Sequence, residues 1–122
     1  MNFNSWKRDK SRIANDLYKI RHWSFVLGDY HSLYNKKATW FIDPPYQFGG
    51  HPYQHNNKKI DFANLKTWCI SRKGQIIICE NTKATWMNFK PLAIHKTKNG
   101  TQKEAIWSNE ITAFDNQQLQ LL

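Results

Sequence analysis

Two consecutive prolines, Pro44 and Pro45, stand directly behind the apolar run Ala38-Thr39-Trp40-Phe41-Ile42. Proline lacks the N–H that a central strand donates, so the run predicts a buried strand that must stop and turn at Asp43. The turn presents the Asp43 carboxylate, a Pro44 carbonyl whose next residue has no N–H, and the Tyr46 ring. In an open α/β sheet, ligands collect outside the carboxyl ends of strands, so Asp43-Pro44-Pro45-Tyr46 is expected to face a site. The set suits a flat base with an exocyclic amino group. Asp43 and the Pro44 carbonyl would accept its two hydrogens, and Tyr46 would stack on the ring. The plain alternative is a proline turn in which Asp43 only satisfies loop amides. Chance supplies such a tetrapeptide in roughly one chain of this length in two thousand.

The remaining pattern predicts α/β layering. Residues 5–21 read as an amphipathic helix, with Trp6, Ile13, Leu17 and Ile20 near one face. Lys7, Arg8, Lys10, Arg12, Lys19 and Arg21 crowd the rest. Trp23 to Leu27 predicts a buried strand, stopped by Gly28-Asp29. From Tyr46 to Lys59 the composition turns polar, predicting a long loop of the kind that carries function. Asp61 predicts the cap of a helix over 62–72 that ends at Gly74. Gln75 to Glu80 is continuous and β-branched, predicting a strand covered on both faces, as in a parallel sheet. Residues 84–89 predict a short helical turn. Residues 92–98 and 101–108 predict a hairpin with a type I′ turn at Asn99-Gly100. The expectation is one domain over 1–122, a mostly parallel sheet closed by an antiparallel hairpin, and a loosely ordered tail over 109–122.

Charge points to the partner. Eighteen Lys and Arg face nine Asp and Glu, a net charge of +9, which attracts polyanions such as nucleic acid. No apolar run approaches the roughly 20 residues of a membrane span, and Met1 opens a polar, basic segment unlike a signal peptide. A cytoplasmic protein that meets no membrane is therefore expected, with Cys69 and Cys79 reduced. His51 and His55 alone do not make a zinc site, so no metal is expected.

Asp43-Pro44-Pro45-Tyr46 after Trp40-Phe41-Ile42 resembles the catalytic motif of the S-adenosylmethionine-dependent adenine-N6 DNA methyltransferases. The likeness runs over about residues 5–108, through Ile20-Arg21-His22-Trp23, Gly28-Asp29-Tyr30, Trp68-Cys69, Gly74 to Asn81, Trp86 and Glu104-Ala105-Ile106-Trp107. These stretches resemble one bacterial and phage subgroup. The resemblance implies a Rossmann-like methyltransferase fold, incomplete here. It also implies site-specific methylation, as in restriction–modification, of an adenine flipped out of the duplex. Asp43 and Pro44 would hold and polarise the amino group, Tyr46 would stack, and Pro45 belongs to the same catalytic motif. Asp29 matches the position near the cofactor's adenine, although Gly-Asp-Tyr is also an ordinary strand-ending turn. Gln47, His51, Tyr53, His55, Lys58 and Lys59 would lie close to DNA, and Lys7, Arg8, Lys10 and Arg12 could track phosphates, or simply be a solvated face. Asn81 would shape a pocket or cap its loop.

The family's aromatic-x-Gly-x-Gly cofactor turn lies upstream of the matched region. The expectation is therefore a truncated enzyme or one part of a split one. Its partners would be DNA and either a complementing N-terminal half or a second copy. S-adenosylmethionine is expected to bind the isolated chain weakly or not at all. The alternative is a non-catalytic, basic DNA-binding or partner-docking remnant. A generic RNA-binding protein leaves the proline turn unexplained.

Overall fold

The computed structural model describes residues 3–49, 57–97 and 100–110. The chain divides into two compact units, Met1–Ser32 and Leu33–Leu122.

The first unit opens with helix α1 (Phe3–Asp16), followed by a 3-10 turn over Leu17–Ile20. The expected helix over 5–21 thus tightens after Asp16, whose carboxylate meets Lys19 at 2.7 Å. Arg8 and Arg12 both approach Asp9, at 3.6 and 3.9 Å. The strand expected over 23–27 does not form. The segment has no ladder partner among the described residues, and Phe25 and Leu27 are 87% and 90% exposed. Its apolar composition favours a strand, but a strand is stable only against a neighbour that takes its N–H and C=O groups.

The second unit holds β1 (Trp40–Ile42), α2 (Phe62–Ile70), β2 (Ile76–Asn81), β3 (Lys90–Thr97) and β4 (Gly100–Ser108). They form a four-stranded sheet in the order β1-β2-β4-β3. β1 and β2 run parallel, with Trp40 opposite Ile76 and Ile42 opposite Ile78. β4 runs antiparallel to both β2 and β3. The class is α/β, but the sheet is mixed where a mostly parallel one was expected. The hairpin strand β4 lies directly against β2, and segment 23–27 adds no strand among the described residues.

Local chemistry accounts for each element. Asp61 caps α2, its side chain accepting from the Asn64 N–H at 3.0 Å. β2 is central and β-branched, and its alternate residues Ile76, Ile78 and Glu80 are buried. They share the covered side of the sheet with Leu65, Trp68 and Cys69 of α2, which are also buried. Trp40 and Trp68 meet edge to face at 5.8 Å, and the Arg72 guanidinium lies 4.3 Å over Trp68 and 5.6 Å over Trp40. Burial pushes the Cys69 thiol up to about 11, so it stays an uncharged core group. Pro91 is accommodated on the edge strand β3, beside a register shift between Pro91 and Ala93.

Residues 84–89 form bends, not the expected helical turn. Trp86 is fixed by Phe62 at 5.5 Å and Phe89 at 5.1 Å, and these contacts override the local helical preference. Thr97 pairs with Gly100, so the connection of the hairpin is residues 98 and 99. These two lie outside the described residues, and Gly100, expected in the turn with Asn99, is instead the first residue of β4. Asn109 is held at the start of β2, accepting from the Ile76 N–H at 2.8 Å and donating to the Gly74 carbonyl at 3.0 Å. Of the tail expected over 109–122, residues 111–122 lie outside the described residues.

Gly74 joins α2 to β2 at φ +102°, and a Cβ there would lie 2.2 Å from the Ala38 carbonyl oxygen. That contact is with backbone and cannot be relieved by a rotamer. Gly74→Ala is expected to destabilise the protein by at least about 2 kcal/mol. A denaturant midpoint within error of wild type would contradict it.

Candidate functional site

β1 ends at Ile42, opposite Ile78, while its parallel neighbour β2 continues to Asn81, and the turn Asp43-Pro44-Pro45-Tyr46 leaves the carboxyl end of β1. Strand alternation puts Phe41, Ile77, Cys79, Glu104 and Ile106 on the sheet face opposite α2. That face is only partly covered, and Phe41 is 67% exposed.

Asp43 is exposed, and its carboxylate makes no hydrogen bond or ion pair among the described residues. The Pro44 carbonyl takes no backbone N–H there either. Among the described residues, the acceptors expected at this turn are thus not spent on loop amides. The negative charge of Asp43 still reaches its neighbours. Cys79 is shifted upward by burial first, then by Asp43 and Glu104. Tyr46 is shifted upward by burial, by its hydrogen bond to Glu104 and by the charges of Glu104 and Asp43. Its phenol is therefore a neutral donor at physiological pH.

Two glutamates fix the segment after the prolines. The Tyr46 hydroxyl donates to Glu104 Oε2 at 2.5 Å, across 58 residues of sequence. The Gln47 N–H donates to Glu80 Oε1 at 2.7 Å. Glu80 is fully buried, and the same oxygen accepts from Trp86 Nε1 at 3.0 Å while Oε2 accepts from the Asn81 N–H at 3.0 Å. A carboxylate in a core is tolerated only when its lone pairs are filled in this way. The Gln47 side chain accepts from the Thr85 N–H at 2.8 Å, and Asn81 Nδ2 donates to the Phe48 carbonyl.

Neither glutamate stands out in the sequence as a site residue. Glu80 is legible in principle, because it shares the alternation of Ile76 and Ile78 and so has to point inward. Glu104 has no such signal, since its place depends on hairpin register.

The other expected residues take no part in these hydrogen bonds. Asp29 lies in the first unit, where its carboxylate accepts from the His31 N–H at 2.8 Å and meets His31 Nδ1 at 2.6 Å. These bonds hold its pKa below the usual carboxylate value. Lys7 and Arg8 are exposed on α1, also in the first unit. Lys58 and Lys59 are exposed on a 3-10 turn (Asn57–Lys59) in the second. Tyr53, His51 and His55 lie outside the described residues. Asn81 both ties down Phe48 and accepts from the Lys83 N–H at 2.9 Å, the geometry of a loop cap. Among the described residues no group of three His, Cys, Asp or Glu could hold a metal ion, and no helix is long and apolar enough to cross a membrane. Comparison with protein-family models, curated proteins and solved structures finds no match for the chain.

Proposed function

We propose that this chain carries the base-holding part of an adenine-N6 DNA methyltransferase, in an incomplete Rossmann-like fold. The observation that supports it is the free Asp43 carboxylate at the carboxyl end of a parallel strand, beside an uncommitted Pro44 carbonyl and a fixed Tyr46 ring. Asp43 and Pro44 accept the two hydrogens of the adenine amino group. This draws the nitrogen lone pair out of conjugation with the ring and points it at an incoming methyl carbon. Tyr46 stacks on the base, and positioning of this kind supplies much of what a displacement needs.

S-adenosylmethionine is the methyl donor the family resemblance implies. The described residues supply little of what it needs: Asp29, the one residue matched to it, spends Oδ1 on the His31 N–H and Nδ1. No Gly-rich turn follows a parallel strand among them. No step is therefore derived through the cofactor. The same misfit favours a second reading, a non-catalytic DNA-binding remnant. Incubation with labelled S-adenosylmethionine and adenine-containing duplexes separates the two. With a complementing cofactor-binding half present, label recovered as N6-methyladenine supports the enzyme, and DNA binding without label supports the remnant.

Both readings require phosphate contacts, as the net charge of +9 indicates. Affinity for duplex DNA is expected to fall by at least about tenfold between roughly 50 and 200 mM salt. A flat response would remove nucleic acid as the partner of that charge.

A further inference from the structure

We infer that Glu104 is a positioning residue for the base site, holding the Tyr46 ring in its stacking orientation through the phenolic hydroxyl. It rests on the base-holding reading above. A tyrosine that merely offers a ring needs no hydroxyl partner, and by composition alone phenylalanine would serve. Here the hydroxyl is anchored on a strand far away in sequence. Glu104 sits on β4 opposite Asn81 of β2, so the acceptor belongs to the rigid sheet and not to the loop that carries the ring.

The segment that bears Tyr46 is fixed at two points. Its backbone is fixed at the neighbouring residue, by the Gln47 N–H on Glu80. Its side chain is fixed at the far end of the ring, by Glu104. With Cα and Oη both held, rotation about χ1 is restricted. The remaining ring face is then presented in one orientation, which is what a stacking platform requires. A bond to a carboxylate is stronger and shorter than one between neutral groups, which suits it to this task. The Tyr46 ring itself is half-buried, so part of it stays open to solvent.

The test uses the full chain and an adenine-rich single strand carrying one 2-aminopurine, whose fluorescence is quenched on stacking. The probe has no 6-amino group, so it reads the ring and not Asp43. Tyr46→Ala is expected to lower the stacked-to-unstacked ratio about tenfold, the scale of a lost base–aromatic contact. Tyr46→Phe and Glu104→Ala are each expected to lower it about fivefold, a ring kept but no longer held. Combining the two should add nothing, because both remove one bond. Glu104→Gln keeps an acceptor and should restore most of the quenching. If Glu104→Ala does not fold, the nearly isosteric Tyr46→Phe removes the same bond by itself, and wild-type stacking by Tyr46→Phe overturns the inference.

If Tyr46→Ala lowers stacking while Tyr46→Phe and Glu104→Ala match wild type, the inference fails and the base-holding reading stands. If Glu104→Ala acts equally in the wild-type and Tyr46→Phe backgrounds, its role is structural and the inference fails. If Tyr46→Ala changes nothing, Tyr46 is no platform and both fall.

Discussion

Glu80→Ala is expected to lower stability by about 3–5 kcal/mol, the cost of buried donors left without an acceptor together with a cavity. Three donors lose their acceptor at once: the Gln47 N–H, the Asn81 N–H and the Trp86 indole N–H. Each buried polar group left unpaired costs about 1–3 kcal/mol, and the vacated volume adds a cavity. Against a total stability of roughly 5–15 kcal/mol, such a loss leaves the variant partly unfolded near physiological temperature. Glu80→Gln should be milder, at about 1–2 kcal/mol, because its carbonyl can still accept where Oε1 does and only the bond at Oε2 is lost. Urea unfolding followed by tryptophan fluorescence reads both. Equal midpoints for wild type and Glu80→Ala would show that the network contributes nothing net.

Asp43→Ala should do the opposite, leaving stability intact and removing the chemistry. The side chain is exposed and makes no hydrogen bond or ion pair among the described residues, so its truncation costs the fold almost nothing. In the proposed site it removes the acceptor that aligns the adenine amino group. Loss of a polar contact of this kind lowers methyl transfer by about a hundredfold or more. Labelled transfer to adenine is measured with a complementing cofactor-binding half present, and the circular dichroism melt on the same preparation of each variant. Near-full transfer by Asp43→Ala would make the proline turn structural.

The helix α2, the central strand β2 and the turn after β1 were legible because each has a local cause. Asp61 caps, Gly74 takes a positive φ, three isoleucines stiffen β2, and prolines cannot stay in a ladder. The sheet order was not legible. Whether 23–27 pairs, and whether β4 or another parallel strand flanks β2, depends on which partner is at hand in space, and no local preference records that. The candidate site divides the same way. Asp43 and Tyr46 were readable from their place at a strand end. Glu104 was not, since only the register of β4 on β2 brings it under the Tyr46 hydroxyl.

The central claim is that the turn after β1 holds the amino group of an adenine. It is tested most directly by comparing two duplexes, each with one unpaired purine facing an abasic site. One carries adenine there, and the other carries purine, which lacks the exocyclic amino group. Fluorescence anisotropy at fixed salt gives both affinities, and phosphate contacts cancel in the ratio. The wild-type chain is expected to prefer adenine by about tenfold or more, the worth of hydrogen bonds to a charged acceptor. Asp43→Ala should lose most of that preference. Equal affinity of the wild-type chain for the two duplexes would contradict the account.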